Sequence, residues 1–318
     1  MNIILFLFLA LGTVFISIKL SYYTDKLDKQ SNVGSFFIGG ILLAVVTSIP
    51  ELVTSLSAIN INNPYLSVGD ILGSNIFNLF AIGIFDLAFI KHMIFNKISY
   101  KYSVFIVLLI INYLFIYFSF TTTSSFSINY IGIPTIIIII SYLIFLYLSS
   151  FIKPKNKEIT IKKDNSTIYK FLLTSIFMII ISYLLTITVD NITKTYSLVS
   201  VSSVGAFLLG ITTSLPEVVS SLTLIKYKNY TVALSNIIGS NMFNLLILSI
   251  TDILFKKSSL YNYVESSSIL MIKICIVTSI LVIISLNKKI KNKFIYIMPT
   301  LLLILSYIFM MVIELKII

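Results

Sequence analysis

The sequence contains no arginine, no tryptophan, one cysteine and one histidine, and only 11% of its 318 residues are charged. Each shortage excludes something. A soluble domain carries about 25% charged residues, so this chain has too little polar surface to face water on all sides. Cys275, being alone, cannot form a disulfide within the chain, and one thiol with one imidazole makes no zinc or redox centre. Cys275 is expected to pack as a small apolar residue, and His92 to sit in a polar loop beside Lys91. Specific phosphate recognition favours the guanidinium fork, which this chain lacks. The net charge of +11 therefore rests on 23 lysines and does not imply a nucleic-acid partner.

What the chain does have is apolar length, with 58% of its residues hydrophobic. Runs of about 20 such residues recur, the length that crosses about 30 Å of hydrocarbon as a helix. The runs predict spans at 2–20, 34–60, 65–90, 104–120, 128–152, 168–189, 199–225, 230–255, 264–286 and 294–315. They must be helical, because an open backbone in lipid leaves its polar groups unsatisfied. The first run, Ile3 to Leu20, has no basic leader and no small-residue cleavage site, so it reads as an uncleaved span. The expected fold is an all-α polytopic membrane protein of ten transmembrane helices, embedded in the lipid bilayer of the cell membrane. No soluble domain and no cofactor are expected.

Lysine placement predicts the topology. With the loops numbered in order, the odd loops and their flanks hold 18 lysines. The even loops and the C-terminus hold Lys194, Lys256, Lys257 and Lys316. Basic residues collect on the cytoplasmic side, so both termini are expected outside the cytoplasm. Lys273 falls within the ninth span and is expected to snorkel toward the outer interface. The most polar stretch lies at 153–167 and reads as a cytoplasmic linker. It divides the chain into a first five-span repeat, 1–152, and a second, 168–318.

Two segments match without a gap. GGILLAVVTSIPELVTSLSAI from Gly39 and GDILGSNIFNLFAIGIFD from Gly69 answer to GAFLLGITTSLPEVVSSLTLI from Gly205 and SNIIGSNMFNLLILSITD from Ser235. Glu51 pairs with Glu217 at an offset of 166 (217 − 51), as do Thr47 with Thr213, Pro50 with Pro216, Ser74 with Ser240, Asn78 with Asn244 and Asp86 with Asp252. The repeated motifs span about 39–86 and 205–252. Five spans is an odd number, so the second copy should be inverted relative to the first. Inverted repeats put a substrate site at the bilayer midplane on interrupted helices. Pro50 cannot donate to the carbonyl of Val46, nor Pro216 to that of Thr212, so a break is expected one residue from each glutamate. Small residues such as Gly73 and Gly239 can be explained by close helix packing. The glutamates cannot, because a charge at mid-membrane costs about 3 kcal/mol or more and is usually functional.

Thr47 and Glu51 lie four residues apart on one helix face, with Ala44 a turn behind. Thr213, Glu217 and Gly210 repeat the arrangement, and Ser74 with Asn78 matches Ser240 with Asn244. Convergence of the four helices would gather two carboxylates, hydroxyls, amide oxygens and freed carbonyls. All are hard oxygen ligands, which suit calcium, magnesium or an alkali cation rather than zinc or copper. Calcium accepts six to eight oxygens in irregular geometry, and two carboxylates balance one divalent ion. Sodium fits the same oxygens when calcium is absent.

The motifs TSIPE with GSNIFN and TSLPE with GSNMFN resemble the two α-repeats of the sodium/calcium exchanger branch of the cation/calcium antiporter family. The resemblance covers nearly the whole chain. It implies a secondary antiporter, not an enzyme, that exchanges calcium for sodium by alternating access and works as a monomer. Glu51 and Glu217 would be the central ligands of both ions. Thr47 and Thr213 would coordinate through hydroxyl or carbonyl oxygen, and Ala44 and Gly210 would offer carbonyls to sodium. Ser74 and Ser240 would line flanking sites, and Asn78 and Asn244 would complete the centre. Spans one and six would slide against the other eight.

The chain departs from the family pattern at Asn244, where well-known exchangers often carry Asp. Asp70, opposite Asn236 in the repeat, reads as an entrance residue near the outer end of span three. Asp86 and Asp252 read as near-interface residues. The competing readings are a proton- or potassium-coupled exchanger, a channel and a membrane-embedded enzyme. The last has no catalytic His, no zinc motif and no nucleophile paired with a base.

Overall fold

The structure, a computed structural model, describes residues 2–31, 33–122, 127–151, 164–196, 210, 212–287, 290 and 292–316. The expected linker as far as residue 163, and residues 199–209 of the seventh expected span with Gly205, lie outside the described residues. Among the described residues the chain is helical except for one small hairpin. The helices are α1 (Asn2–Gln30), α2 (Ser35–Thr47), α3 (Ile49–Asn60), α4 (Pro64–Ala88), α5 (Ser103–Thr121) and α6 (Ile133–Phe151), followed by α7 (Ser166–Tyr196), α8 (Leu215–Lys226), α9 (Tyr230–Phe255), α10 (Ser266–Asn287) and α11 (Lys293–Lys316). Eight of these are long and apolar enough to cross a membrane, and α2 with α3 makes one further span bent by 44°.

The bend falls at Ser48, two residues before Pro50, whose ring removes a backbone donor. Just before it, Ile38–Leu43 winds as a π-helix. The span expected at 34–60 is thus a broken helix. The fifth span begins at Ile133 rather than 128, because Ser127–Ile128 and Ile131–Gly132 pair as an antiparallel hairpin, with Asn129 in the left-handed region (φ 58°) at its turn. α1 runs ten residues past the expected end at 20, so Lys26 and Lys29 are helical rather than in a loop. Lys29 pairs with Asp25 one turn back at 2.6 Å, and the Asn229 amide donates to Asp25 and Asp28 at 2.9 and 3.1 Å.

The two central helices start alike. Asn63 caps α4 by accepting from Leu66 N at 3.3 Å, and Asn229 caps α9 by accepting from Val232 N at 3.4 Å. An asparagine oxygen there satisfies an amide that a helix start leaves without a partner. α4 and α9 are the most buried spans, whereas α1 and α11 present large apolar side chains such as Phe8 and Phe294 at the surface. This is the pattern of a bundle whose polar centre is shielded from lipid. Helices approach closely where glycine allows it: a Cβ on Gly239 of α9 would collide with the carbonyl of Gly40 in α2.

The far ends of α4 and α9 are fastened by Asp86 and Asp252, both fully buried within the protein. Asp252 accepts from Leu260 N at 2.6 Å, Gly132 N at 2.8 Å and Thr135 Oγ1 at 2.7 Å. Asp86 accepts from Ile94 N at 3.1 Å, Thr300 Oγ1 at 3.0 Å and the Tyr296 hydroxyl. Each aspartate thereby ties the loop after its own helix to a helix from the other half of the chain.

Candidate functional site

Glu51 stands in the first turn of α3, and Glu217 in the first turn of α8. A helix start presents free N–H groups and the positive end of its dipole, which favours a carboxylate there. Both side chains are fully buried, and the two charges lie within electrostatic reach of each other. The serines preceding the two helices do not cap them. Ser48 Oγ donates instead to Glu217 Oε1 at 2.8 Å, and Ser214 Oγ to Glu51 Oε1 at 3.0 Å. Each break in the chain therefore holds the acid of the opposite copy.

Around Glu217, Ser240 Oγ donates to Oε1 at 3.4 Å and lies 3.5 Å from Thr47 Oγ1, which donates to the Ala44 carbonyl at 3.2 Å. On the other side, Ser74 Oγ and Thr213 Oγ1 lie 3.4 Å apart, and both donate to the Gly210 carbonyl at 3.2 Å. Thr47, Ala44, Ser240 and Glu217 thus form one cluster, and Thr213, Gly210 and Ser74 form its counterpart, with Glu51 joined through Ser214. A side chain at Gly210 would be crowded, since a Cβ would sit 3.0 Å from Ser74 N and 3.1 Å from the Asp70 carbonyl.

Asn78 and Asn244 meet a pair of residues that the sequence analysis did not single out. Asn78 Nδ2 donates to Asn241 Oδ1, and Asn244 Nδ2 to Asn75 Oδ1, each at 3.0 Å. Asn75 Nδ2 reaches the Asn241 carbonyl at 3.3 Å, and Asn241 Nδ2 the Asn75 carbonyl at 2.9 Å. The result is a closed quartet across α4 and α9, braced by Tyr113, whose hydroxyl accepts from Asn75 Nδ2 at 3.1 Å. Ser48, Ser214, Asn75 and Asn241 were legible in principle, because both pairs keep the 166-residue offset (214 − 48 and 241 − 75) inside the repeated motifs.

Buried oxygens without a hydrogen-bond donor include Glu51 Oε2, Glu217 Oε2, Asn78 Oδ1 and Asn244 Oδ1, together with Asp70 Oδ2 and Asn236 Oδ1 on α4 and α9. A buried polar atom left unpaired costs about 1–3 kcal/mol, more when charged. A cation could satisfy such oxygens, since each is a hard donor with a lone pair to give. Among the described residues, no three His, Cys, Asp or Glu side chains gather as a metal-binding cluster. Hydroxyl, amide and carbonyl oxygens would have to supply most of any coordination shell. Asp70, in the second turn of α4, is fully buried, with its Oδ1 3.4 Å from Thr213 Oγ1. Lys273 extends over the Tyr117 ring, 5.8 Å from its centroid.

A broken, glutamate-bearing helix at the centre of a membrane bundle defines a class of ion-handling membrane protein, and the comparisons agree with it. The family described as sodium/calcium exchanger protein matches residues 1–151 and 166–316, and this chain belongs to that family. The family is one of exchangers, which are membrane transporters. An uncharacterized membrane protein of Methanocaldococcus jannaschii, MJ0091, is 28% identical over 250 residues, covering 74% of this chain and 78% of its own length. The inner membrane protein YrbG of Escherichia coli is 25% identical over 245 residues, covering 72% of each. Two structures of the sodium-calcium exchanger NCX_Mj, determined to follow extracellular ion exchange and binding-site occlusion, superpose with TM-scores of 0.69 and 0.70 at 19% and 20% identity. Both cover 98% of this chain, with 97% and 99% of their own length covered in turn, and the likeness is one of fold.

Proposed function

We propose that this protein is a secondary antiporter that exchanges calcium for sodium at one site, alternately open to each side and built on Glu51 and Glu217. The observation that carries the reading is that both glutamates, and Asn78 and Asn244 beside them in the repeat, each keep a buried oxygen without a donor, in a member of the exchanger family. Two carboxylates balance one calcium ion. Thr47, Ala44 and Ser240 would serve a flanking sodium position on one side, and Thr213, Gly210 and Ser74 on the other. Asn78 and Asn244 would present carbonyl oxygens to the centre, their amide nitrogens being held by the quartet.

The proposal includes ten spans in two inverted five-helix repeats, 1–152 and 168–318, joined by a cytoplasmic linker at 153–167. It places both termini outside the cytoplasm, in the cell membrane, and a monomer suffices for exchange. The exchange of braces between the two breaks, Ser48 to Glu217 and Ser214 to Glu51, supports an approximate twofold relation between the copies. α1 and α7 pack along each other, with Gly12 of α1 against Ile181 of α7, which fits a pair that slides as a unit. The alternative is coupling to protons or potassium through the same oxygens.

The test is radiolabelled calcium uptake into proteoliposomes with an imposed sodium, potassium or proton gradient. Uptake driven by an outward sodium gradient is expected. Calcium flux that proceeds at the same rate with no counter-ion on the opposite side would reject antiport in favour of a channel.

A further inference from the structure

The two copies differ in charge at one position inside the site. In the second copy the residue is Asn236, whose Nδ2 donates to Ser221 Oγ at 3.0 Å and to the Glu217 backbone carbonyl at 3.4 Å. It is a structural amide that fastens α9 to α8. The matching residue of the first copy is Asp70 (236 − 70 = 166), which has no N–H to give. The serine that answers to Ser221 is Ser55, and its hydroxyl is buried without a partner. The exchange of Asn for Asp has thus removed the fastening and added an acid.

That acid is fully buried within a helix long and apolar enough to span a membrane, where a charge is costly and usually functional. Its Oδ1 lies 3.4 Å from Thr213 Oγ1, competing with the nearer Gly210 carbonyl for that hydroxyl's one proton, and its Oδ2 is buried with no donor. It lies within electrostatic reach of Glu51 and one turn from Ser74 on α4. The cluster beside Glu51 therefore carries a carboxylate that the cluster beside Glu217 lacks.

We propose that Asp70 is an additional cation ligand that holds a monovalent alkali ion against the Thr213 hydroxyl on the Glu51 side, making the two flanking positions unequal. This rests on the exchange reading above. A carboxylate beside hydroxyls and a backbone carbonyl offers the hard oxygens that replace a sodium ion's water. Three ionised acids, Glu51, Glu217 and Asp70, are balanced by one calcium with one sodium, or by three sodium ions. An all-amide version of this position would leave the monovalent ion uncompensated whenever calcium occupies the centre.

The test is Asp70→Asn, which installs the residue of the other copy and restores a donor to Ser55. Sodium-driven calcium flux is measured against sodium concentration and against pH, with sodium binding to the detergent-purified protein followed by calorimetry. The variant is expected to raise the half-saturating sodium concentration about tenfold, the loss of one poorly screened charge, and to shift the calcium requirement less. Superimposable sodium curves would overturn the proposal. So would a change in the pH profile alone, which would make Asp70 a proton site. If the unmodified protein shows no sodium-driven flux, the exchange reading fails, and calorimetry still decides Asp70: equal sodium affinity refutes its role and weaker affinity upholds it. Asp70→Ser, read in the same assays, serves if Asp70→Asn does not yield a monodisperse protein.

Discussion

Replacing Glu217 by Gln removes one charge and almost nothing else. Glu217 Oε1 accepts from Ser48 and Ser240, while Oε2 has no donor. A glutamine can turn its NH2 toward the two serine hydroxyls, which rotate to accept, and leave its carbonyl oxygen where Oε2 was. The folded bundle should therefore survive. Calcium binding should not. A divalent ion in contact with a carboxylate oxygen at about 2.4 Å gains roughly 14 kcal/mol of Coulomb energy at an effective dielectric constant of about 20. Most of that is offset by dehydration. If only a fifth survives, the loss is about 3 kcal/mol, or roughly a hundredfold in Kd. The measurements are calcium titration calorimetry on purified protein and calcium flux in proteoliposomes, with a melting curve to show that the variant is folded. A folded Glu217→Gln protein that binds and exchanges calcium as the parent does would remove Glu217 from the ion site and, by the repeat, cast out Glu51 with it.

Asp252→Asn should lower stability by about 3 kcal/mol, since its carboxylate accepts three short bonds that an amide cannot all keep; an unchanged melting temperature would show that the fastening is idle. Asn244→Asp should keep some exchange but lose it more steeply as pH falls from about 8 to 6, because a buried carboxyl beside other acids takes up protons in competition with the cation. Superimposable pH profiles would remove Asn244 from the site. In intact cells on a Cys275→Ser background, a cysteine introduced near Lys316 should react with an impermeant maleimide and one near Lys157 should not; the reverse pattern overturns the topology.

Periodicity and length were enough to place the long spans. The eighth span, read as 230–255, coincides with α9, and the fourth, read as 104–120, differs from α5 by one residue at each end. The misreadings came where polar residues are satisfied by distant partners. The first span was expected to end at 20, with Lys26 and Lys29 in a loop; instead α1 continues past Asp25 and Asp28, to which Asn229, some 200 positions away, donates its amide. The fastening role of Asp86 and Asp252 was not legible, because a single sequence does not reveal that Tyr296, Thr300, Gly132 and Thr135 are their donors. Within the site, the acids, threonines and their carbonyl partners were legible as a repeated pattern on one helix face. Ser48, Ser214, Asn75 and Asn241 stood in the same repeated motifs, but their role lies between copies, and spacing along one helix says nothing of that.

The asparagine quartet couples the two copies as lineages as well as structures. Each amide completes a partner in the other half of the chain, so a change at Asn75 leaves polar atoms stranded on both α4 and α9. A single substitution is therefore penalised twice, and its remedy has to arise in the other copy. Lipid-facing positions of α1 and α11 are under no such tie and can drift separately. The two matching segments can thus differ at their exposed faces at little cost, whereas their four central asparagines can change only together.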